Sequence, residues 1–351
     1  MMLIVVIAAA IWGIGMFLGT PKAMRWIMIG ILYLAVIAMH LVLPDGHVWR
    51  LATGTSAAPW LIFGGMAGLV VIYRFGLVWL RKKAISARES QTTAPNPGKF
   101  TDTEINRYAR HIMLRELGGP GQKALKNARV LVIGAGGLGS PALLYLAASG
   151  VGTIGIIDDD IVDNSNLQRQ VIHMDADIGA PKVHSAAAKM RAQNPFITVR
   201  PYARRLDGEI APDLFSEYDM ILDGTDNFDT RYLVNRVAVA QGKPLISGAL
   251  SQWEGQVSVF DPAHEAPCYQ CIFPQAPAAE LAPSCAEAGV VGPLPGVVGA
   301  MMALEAVKLI SGAGDTLRGR MLIYDALFGE TRTIGLKRRS DCPICGTVGE
   351  V

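Results

Sequence analysis

The sequence has 351 residues, enough for one large domain with additional elements. Its formal net charge of +2 combines two unlike parts: residues 1–100 contain nine Lys and Arg against two Asp and Glu, whereas residues 101–351 contain 23 against 28. Nucleic-acid-binding proteins usually carry a clustered basic face, and the larger part of this chain is mildly acidic. The composition therefore predicts no nucleic-acid partner.

Three long apolar segments occupy the N-terminal part. A helix needs roughly 20 apolar residues to cross the hydrocarbon core of a bilayer. We therefore predict a membrane region over residues 1–83 with two or three spans, three being preferred, at about residues 2–19, 26–43 and 57–80. A signal peptide is the alternative for the first segment, but no basic residues precede it and no clear small-residue cleavage site follows it.

The charges beside these segments predict their orientation. Lys22 and Arg25 follow the first segment and three bases at 81–83 follow the third, whereas Arg50 is the single base between the second and third. Because basic loops stay on the cytoplasmic side, the rest of the chain is predicted to lie in the cytoplasm. We expect a multi-pass protein of the inner (cytoplasmic) membrane.

A polar segment with two prolines, residues 84–99, is typical of a linker. The soluble domain is therefore predicted to cover residues 100–351.

The soluble part opens with a strand, a glycine-rich turn and a helix. The β-branched run Val130–Ile133 is typical of a buried parallel strand, and it leads into Gly134, Gly136 and Gly139. We expect Ser140 to cap the helix that follows.

That helix is predicted to stop at Gly150, and a second strand over residues 153–157 ends in Asp158. Glycines let the backbone approach a phosphate, the helix N-terminus supplies amide donors, and the acid accepts ribose hydroxyls. Taken alone, this βαβ unit favours a dinucleotide oxidoreductase at least as strongly as an ATP-binding enzyme.

Later residues favour ATP. Arg169 and Lys182 lie beyond the second strand, and a further strand at 218–222 leads to Asp226. These side chains are expected at the carboxyl edge of one parallel sheet, where such folds bind ligands. Phosphate chemistry uses cations to balance the polyphosphate and a carboxylate to hold Mg²⁺, whereas hydride transfer needs neither.

All five cysteines lie in the C-terminal third of the chain. Cys268 with Cys271, and Cys342 with Cys345, form two C-x-x-C pairs. Four thiolates at this spacing predict a closed, structural Zn²⁺ site. A thioredoxin-like redox pair is the alternative, but neither pair follows a strand and begins a helix.

Residues 100–348 resemble the MoeB/ThiF/HesA adenylyltransferases, relatives of the ubiquitin-activating enzymes, and within that family they are most similar to the MoeB branch. The resemblance is carried by an ordered set of motifs: RYARHIML (107–114), GAGGLG (134–139), DDDIVDNSNLQRQ (158–170), GAPK (179–182), DGTDN (223–227), SGAL with WEGQVSVF (247–260), PCYQC (267–271), SCAEAGVVGPLPGVVG (284–299) and DCPICG (341–346). It implies an α/β fold: a Rossmann-like doubly wound sheet with a mixed or antiparallel extension.

The resemblance also implies a nucleotide site, carried over motif by motif. The implied ATP-binding residues are Gly134, Gly136, Gly137, Gly139, Asp158, Ser165, Asn166, Leu167, Gln168, Arg169, Lys182, Asp226 and Asn227. The implied catalytic residues are Arg169, Lys182, Asp226 and Arg110. Asp226 would hold Mg²⁺, and Arg110 would reach the ATP of a partner subunit in a homodimer.

The implied reaction is adenylation of the C-terminal glycine carboxylate of a small ubiquitin-like sulfur carrier ending in Gly-Gly. A MoeB-type enzyme would act on the small subunit of molybdopterin synthase, in molybdenum cofactor biosynthesis, and a separate protein would donate the sulfur. In some relatives a cysteine in the region of Cys285 bonds covalently to the carrier, and a spare loop thiol is the alternative.

Four other interpretations remain. A ThiF-like enzyme would activate the thiamine sulfur carrier, and the membrane-associated tRNA threonylcarbamoyladenosine dehydratases form another branch. The two C-x-x-C pairs and the LQRQ run disfavour that branch. Two interpretations come from other protein classes. An NAD(P)-dependent oxidoreductase would fit the glycine motif alone, and a non-catalytic membrane adaptor would fit the membrane region alone.

Overall fold

The computed structural model describes residues 2–54, 56–90, 99–277 and 289–346, with the side chains of residues 78 and 81–90 left out. The chain divides into two compact units, residues 1–91 and 92–351.

The N-terminal unit contains four described helices: α1 (Met2–Phe17), α2 (Lys22–Val42), α3 (Val48–Thr53) and α4 (Ala58–Ser90). By length and composition α2 and residues 58–77 of α4 could cross a membrane, whereas α1, with 16 residues, is a shorter apolar helix. The segment assigned to a linker begins as helix, because α4 continues to Ser90; residues 91–98 lie outside the described part.

Few of the described side chains in this unit are buried. Ile4, Val36 and Trp60 form a small apolar cluster, and the Tyr33 hydroxyl donates a 2.7 Å hydrogen bond to the Trp60 carbonyl. Most large apolar side chains face outward instead, as Leu69 does.

The C-terminal unit is built on one eight-stranded sheet in the order β3-β2-β1-β4-β5-β6-β7-β8. The first five strands run parallel and the last three are antiparallel, as the resemblance implied. The strands are β1 (Arg129–Ile133), β2 (Thr153–Ile157), β3 (Thr198–Tyr202), β4 (Met220–Asp223), β5 (Leu245–Leu250), β6 (Glu254–Phe260), β7 (Arg320–Asp325) and β8 (Glu330–Gly335).

Eight described helices accompany the sheet: α5 (Asp102–Ile112), α6 (Gly118–Asn127), α7 (Gly139–Ser149), α8 (Lys182–Gln193), α9 (Ala211–Ser216), α10 (Phe228–Ala240), α11 (Tyr269–Ile272) and α12 (Pro293–Ser311). Alternation along β1 separates two cores. Val130 and Val132 face the helices α7, α8 and α12, whereas Leu131 and Ile133 face α9 and α10. The β-branched strands are therefore buried on both faces.

Most predicted boundaries lie within a few residues of the observed ones, with two differences. Ser140 does not cap α7, because the helix begins at Gly139 and Ser140 lies inside its first turn. The strand expected at 218–222 is β4, which ends at Asp223. Gly150 ends α7 in the left-handed conformation, as predicted.

Helix α12 is also long and apolar enough to cross a membrane by composition alone. Here, however, it packs on the sheet, with Val298, Met302 and Ala306 fully buried in the larger core.

Candidate functional site

A cavity of about 1540 Å³ opens at the carboxyl ends of the parallel strands. Its floor is the crevice between β1 and β4, where the strand order reverses and the following loops diverge. The glycine turn after β1 meets the loop after β4, since a Cβ on Gly134 would lie 3.5 Å from the Gly224 carbonyl oxygen.

Glycine is required in this turn for two reasons. Gly134 has φ +90°, a left-handed conformation, and a Cβ on Gly139 would lie 1.9 Å from the Gly134 carbonyl oxygen. The first glycine makes the turn, and the last lets helix α7 pack directly against it.

Ala135 is held from both sides. Its amide donates a 2.7 Å hydrogen bond to Asp158 Oδ2, and its carbonyl lies 3.0 Å from His173 Nε2. Because a carbonyl only accepts, Nε2 carries the proton. Burial lowers the pKa of His173 below its usual range, so the ring is held neutral.

The acid after β2 thus has a structural task. Asp158 Oδ1 accepts the Asp160 amide at 2.8 Å, so both oxygens accept backbone hydrogen bonds that order the turn. Asp158 lines the cavity and its oxygens retain free lone pairs, so it can also receive ribose hydroxyls.

Cations line the same cavity. Arg169 is half-buried and donates to the Ser165 carbonyl at 3.1 Å. Lys182, the first residue of α8, is buried, and its Nζ lies 2.7 Å from Asp160 Oδ2. Two cations therefore face the glycine turn, as expected for a polyphosphate site.

The loop after β4 supplies the remaining polar groups. Asp223 is buried and accepts from both the amide and the hydroxyl of Thr225, which shapes the loop. Asp226 is exposed to the cavity and has no hydrogen bond or ion pair through its side chain among the described residues. Asn227 lines the cavity while its Oδ1 caps α10 by accepting the Thr230 amide at 2.9 Å.

The structure brings most of the predicted nucleotide residues to this cavity. Those that line it are Gly134, Gly136, Gly137, Asp158, Asn166, Arg169, Lys182, Asp226 and Asn227. Five others do not: Gly139, Ser165, Leu167, Gln168 and Arg110. Arg110 is exposed on α5, and Cys285 lies outside the described residues.

Arg231 and Gln170 are among the cavity residues that the sequence analysis missed. Arg231 is buried, and its guanidinium donates to the Gly248 carbonyl at 2.7 Å, to the Ser247 hydroxyl at 3.1 Å and to the Thr225 carbonyl. It therefore ties the β4 loop to β5.

Gln170, rather than Gln168, turns into the cavity, where its buried Oε1 has no hydrogen-bond partner within the described part of the chain. The spacing of Asn166 and Gln170 could have indicated this, because residues four apart share a face of a helical turn and these two are joined in one.

The cavity is longer than the nucleotide residues require. Beyond Asp226 it continues along β5 and β6 to Ser251 and Gln256, and it is walled there by residues 272–277. Single ligand pockets usually occupy about 300–1,000 Å³. The site therefore has room for a second, extended ligand beside a nucleotide.

Four buried cysteines converge at a separate place. The Sγ–Sγ distances are 3.8 Å for Cys268–Cys271, 3.6 Å for Cys268–Cys342 and 3.3 Å for Cys271–Cys345. A tetrahedral zinc with Zn–S bonds of about 2.3 Å requires sulfurs roughly 3.8 Å apart. The four sulfurs thus fit one tetrahedral metal ion.

The surroundings also suit a metal. Burial raises the pKa of Cys345 to about 11, and although burial acts the same way on Cys342, amides of Cys345 and Ile344 hold its pKa at about 7. Four buried thiolates would repel one another, and a divalent cation offsets that charge.

These features match a known family. The ThiF family description matches residues 108–344. The chain belongs to the ThiF family. Among its relatives, the probable adenylyltransferase/sulfurtransferase MoeZ of Mycobacterium tuberculosis is 54% identical over 245 residues, which cover 68% of this chain and 62% of MoeZ. This chain therefore spans about three-fifths of the length of MoeZ.

A second relative is matched almost in full. The sulfur carrier protein adenylyltransferase of Thermus thermophilus is 47% identical over 252 residues, covering 71% of this chain and 93% of that protein. The crystal structure of E. coli MccB matches the fold with a TM-score of 0.60 at 24% identity, over 72% of this chain and 75% of MccB.

Proposed function

We propose that this ThiF-family chain adenylates the C-terminal glycine carboxylate of a small ubiquitin-like sulfur carrier, using ATP. The observation that carries the proposal is the convergence of Arg169, Lys182 and Asp226 around the glycine turn. The Thermus thermophilus relative, named as a sulfur carrier protein adenylyltransferase, supports the reaction class. Among carriers we propose the small subunit of molybdopterin synthase, because the motifs are most similar to the MoeB branch.

In the proposed reaction a carboxylate oxygen of the carrier attacks the α-phosphorus of ATP. The bond from that phosphorus to the bridging oxygen breaks, and pyrophosphate leaves with the electron pair. The carboxylate is already ionised at neutral pH, so no general base is needed. Catalysis would then rest on positioning and on stabilising charge, and we assign the second task to Arg169 and Lys182, which line the cavity.

The long cavity supports a carrier tail as the second ligand. An extended Gly-Gly terminus is narrow and lacks side chains, so it would fit the groove beside Ser251 and Gln256. Its carboxylate would then meet the nucleotide near Asp226.

Asp226 is the residue that would hold Mg²⁺, since it is an exposed carboxylate without a partner among the described residues. When bound, the ion would neutralise phosphate charge. Arg110 is proposed to act across a homodimer, which fits its exposed place on α5 away from the cavity.

The four-cysteine cluster is proposed to bind structural Zn²⁺. The sulfur spacing suits a tetrahedral ion, and the four cysteines together would fill all four ligand positions. Such a site would join α11 to the C-terminal segment around Cys342.

We propose that the N-terminal helices anchor the enzyme in the inner membrane with its catalytic unit in the cytoplasm. The outward-facing apolar side chains of α2 and α4 support this, as do the basic residues beside them. The test is alkaline carbonate extraction: the full chain should stay in the pellet, and release into the supernatant would contradict the proposal.

ATP–pyrophosphate exchange by the purified full chain tests the proposed reaction. Each Gly-Gly carrier is added in turn, including those of molybdopterin and thiamine synthesis, with a matched carrier lacking its final glycine as control. Stimulation by one intact carrier identifies the substrate. No stimulation by any carrier would contradict adenylation and favour an adaptor, and binding of a nicotinamide cofactor would favour an oxidoreductase.

Covalent chemistry at Cys285 is a separate proposal with a separate test. Because adenylation needs only the carboxylate and ATP, Cys285→Ser should leave exchange unchanged. A carrier adduct that survives denaturation, is cleaved by thiols and is lost in this variant would establish the bond.

A further inference from the structure

The ammonium of Lys182 has a resting partner inside the proposed nucleotide site. The side chain is 7% exposed, and its Nζ lies 2.7 Å from Asp160 Oδ2. A buried ammonium without a counter-charge would be costly, so this carboxylate accounts for its orientation.

The backbone holds the pair together. The Lys182 amide donates to the Asp160 carbonyl at 2.9 Å, and two more bonds of 2.9 Å join Val162 to Ala180 and Gly179. The segment after β2 is therefore tied to the start of α8, which sets Asp160 beside Lys182.

The neighbouring acids do not share this role. Both oxygens of Asp158 accept backbone amides. Asp159 is exposed, lines the same cavity and makes no side-chain bond among the described residues. Among these three acids, Asp160 alone contacts the lysine.

We propose that Asp160 is a positioning residue that holds the Lys182 ammonium at the cavity wall and gives it up to the phosphates when ATP binds. The proposal rests on the proposed function only in taking ATP as the ligand. Asp160 is 66% exposed at its side chain, so water can replace the lysine at that carboxylate after the exchange.

This exchange has a measurable consequence. ATP must displace a carboxylate before Lys182 can bind a phosphate, so the pair opposes nucleotide binding. Removing the charge of Asp160 should therefore tighten binding, whereas a metal ligand or a direct ribose contact would show the opposite sign.

The experiment measures ATP affinity of the full chain in detergent by calorimetry, with Mg²⁺ and without carrier. Asp160→Asn should tighten binding roughly three- to five-fold, the range expected for losing a partly exposed ion pair. Asp159→Asn, which removes the same charge from the same cavity, should change it less than half as much. Asp160→Glu should restore the wild-type value.

A double-mutant cycle isolates the lysine. In a Lys182→Ala background, Asp160→Asn should change the ATP affinity no more than Asp159→Asn does. Equal effects of the two Asn variants in the wild-type background, persistence of the Asp160 effect without Lys182, or weaker binding by Asp160→Asn would each overturn the proposal.

The proposed adenylation reaction and the proposed role of Asp160 can be contradicted independently of each other. If the wild-type chain binds ATP but exchanges no pyrophosphate with any carrier, the proposed reaction fails and the affinity comparison still decides the role of Asp160. Unfolding temperatures without nucleotide, matched among the variants, ensure that the comparison concerns folded protein.

Discussion

Helices α2 and α4 of the N-terminal unit and helix α12 of the C-terminal unit are similarly apolar but lie in different surroundings. The mean hydropathies of α2, of residues 58–77 of α4 and of α12 are 1.9, 1.7 and 1.5, yet the buried shares of their 18-residue apolar windows are 11%, 6% and 44%. A water-soluble fold buries an apolar helix against other apolar groups, whereas a helix in lipid leaves its side chains facing outward. Hydropathy therefore does not distinguish them.

What distinguishes them is their neighbours. Helix α12 packs on α7 and on the sheet, and its Met302 fills the space left by Gly248, where a Cβ would lie 2.4 Å from the sulfur. The side chains of α4, such as Leu69, find few protein partners. Helix α12 thus belongs to the ThiF-family fold, and α2 and α4 are proposed to belong to a membrane anchor.

The largest expected effect tests whether the chemistry resides in the C-terminal unit. Asp226→Ala or Arg169→Ala should lower pyrophosphate exchange by roughly 100- to 1,000-fold, as for other groups that stabilise transition-state charge. Asp229→Ala, an exposed acid in the first turn of α10, and Leu69→Ala should each remain within about two-fold. Near-normal exchange in the first two variants would contradict the site assignment.

The next effect concerns the cysteine cluster, which has no counterpart in the N-terminal unit. Cys342→Ser should abolish stoichiometric zinc, read by elemental analysis, and lower the unfolding free energy of the C-terminal unit. A metal bound there would close a loop of 74 residues between Cys268 and Cys342, and a cross-link of that span contributes about 4 kcal/mol in the chain-entropy account. Unchanged metal content would contradict the zinc assignment.

A matched pair of truncations tests the comparison directly. Met302→Ala should lower the unfolding free energy of the C-terminal unit by about 2–5 kcal/mol, because it leaves a cavity in a closed core. Leu69→Ala should change stability by less than about 0.5 kcal/mol, because that side chain faces outward. Denaturant unfolding in detergent measures both, and equal losses would remove the distinction between the helices.

The smallest expected effect is the pH dependence of the unfolding free energy that arises from the buried His173. Burial lowers the folded-state pKa of His173 from its ordinary 6.5. The unfolded chain then binds a proton before the folded one does, so the stabilisation present above about pH 6.5 should be lost as pH falls toward the folded-state value. His173→Gln keeps a donor for Ala135 and should flatten this slope in unfolding measured from pH 7.5 to 5; an unchanged slope would exclude His173 as its source.

The glycine turn, the parallel strands and the four-cysteine cluster were predictable from local signals. The β-branched run Val130–Ile133 predicts a buried strand, and Gly134 permits the left-handed turn that follows it. The C-x-x-C spacing brings two ligands of a metal site together in each pair. The resemblance of the ordered motifs then predicted the sheet extension and nine of the residues that line the cavity.

Only the tertiary structure decided which residues from distant parts of the sequence come into contact. Three contacts follow from how separate segments pack: Asp160 reaches Lys182, Arg231 joins the loop after β4 to strand β5, and Gln170 rather than Gln168 faces the cavity. Hydrophobic length alone left α12 indistinguishable from the N-terminal helices. Periodicity and spacing are local properties, whereas burial and ion pairing depend on residues far apart in sequence.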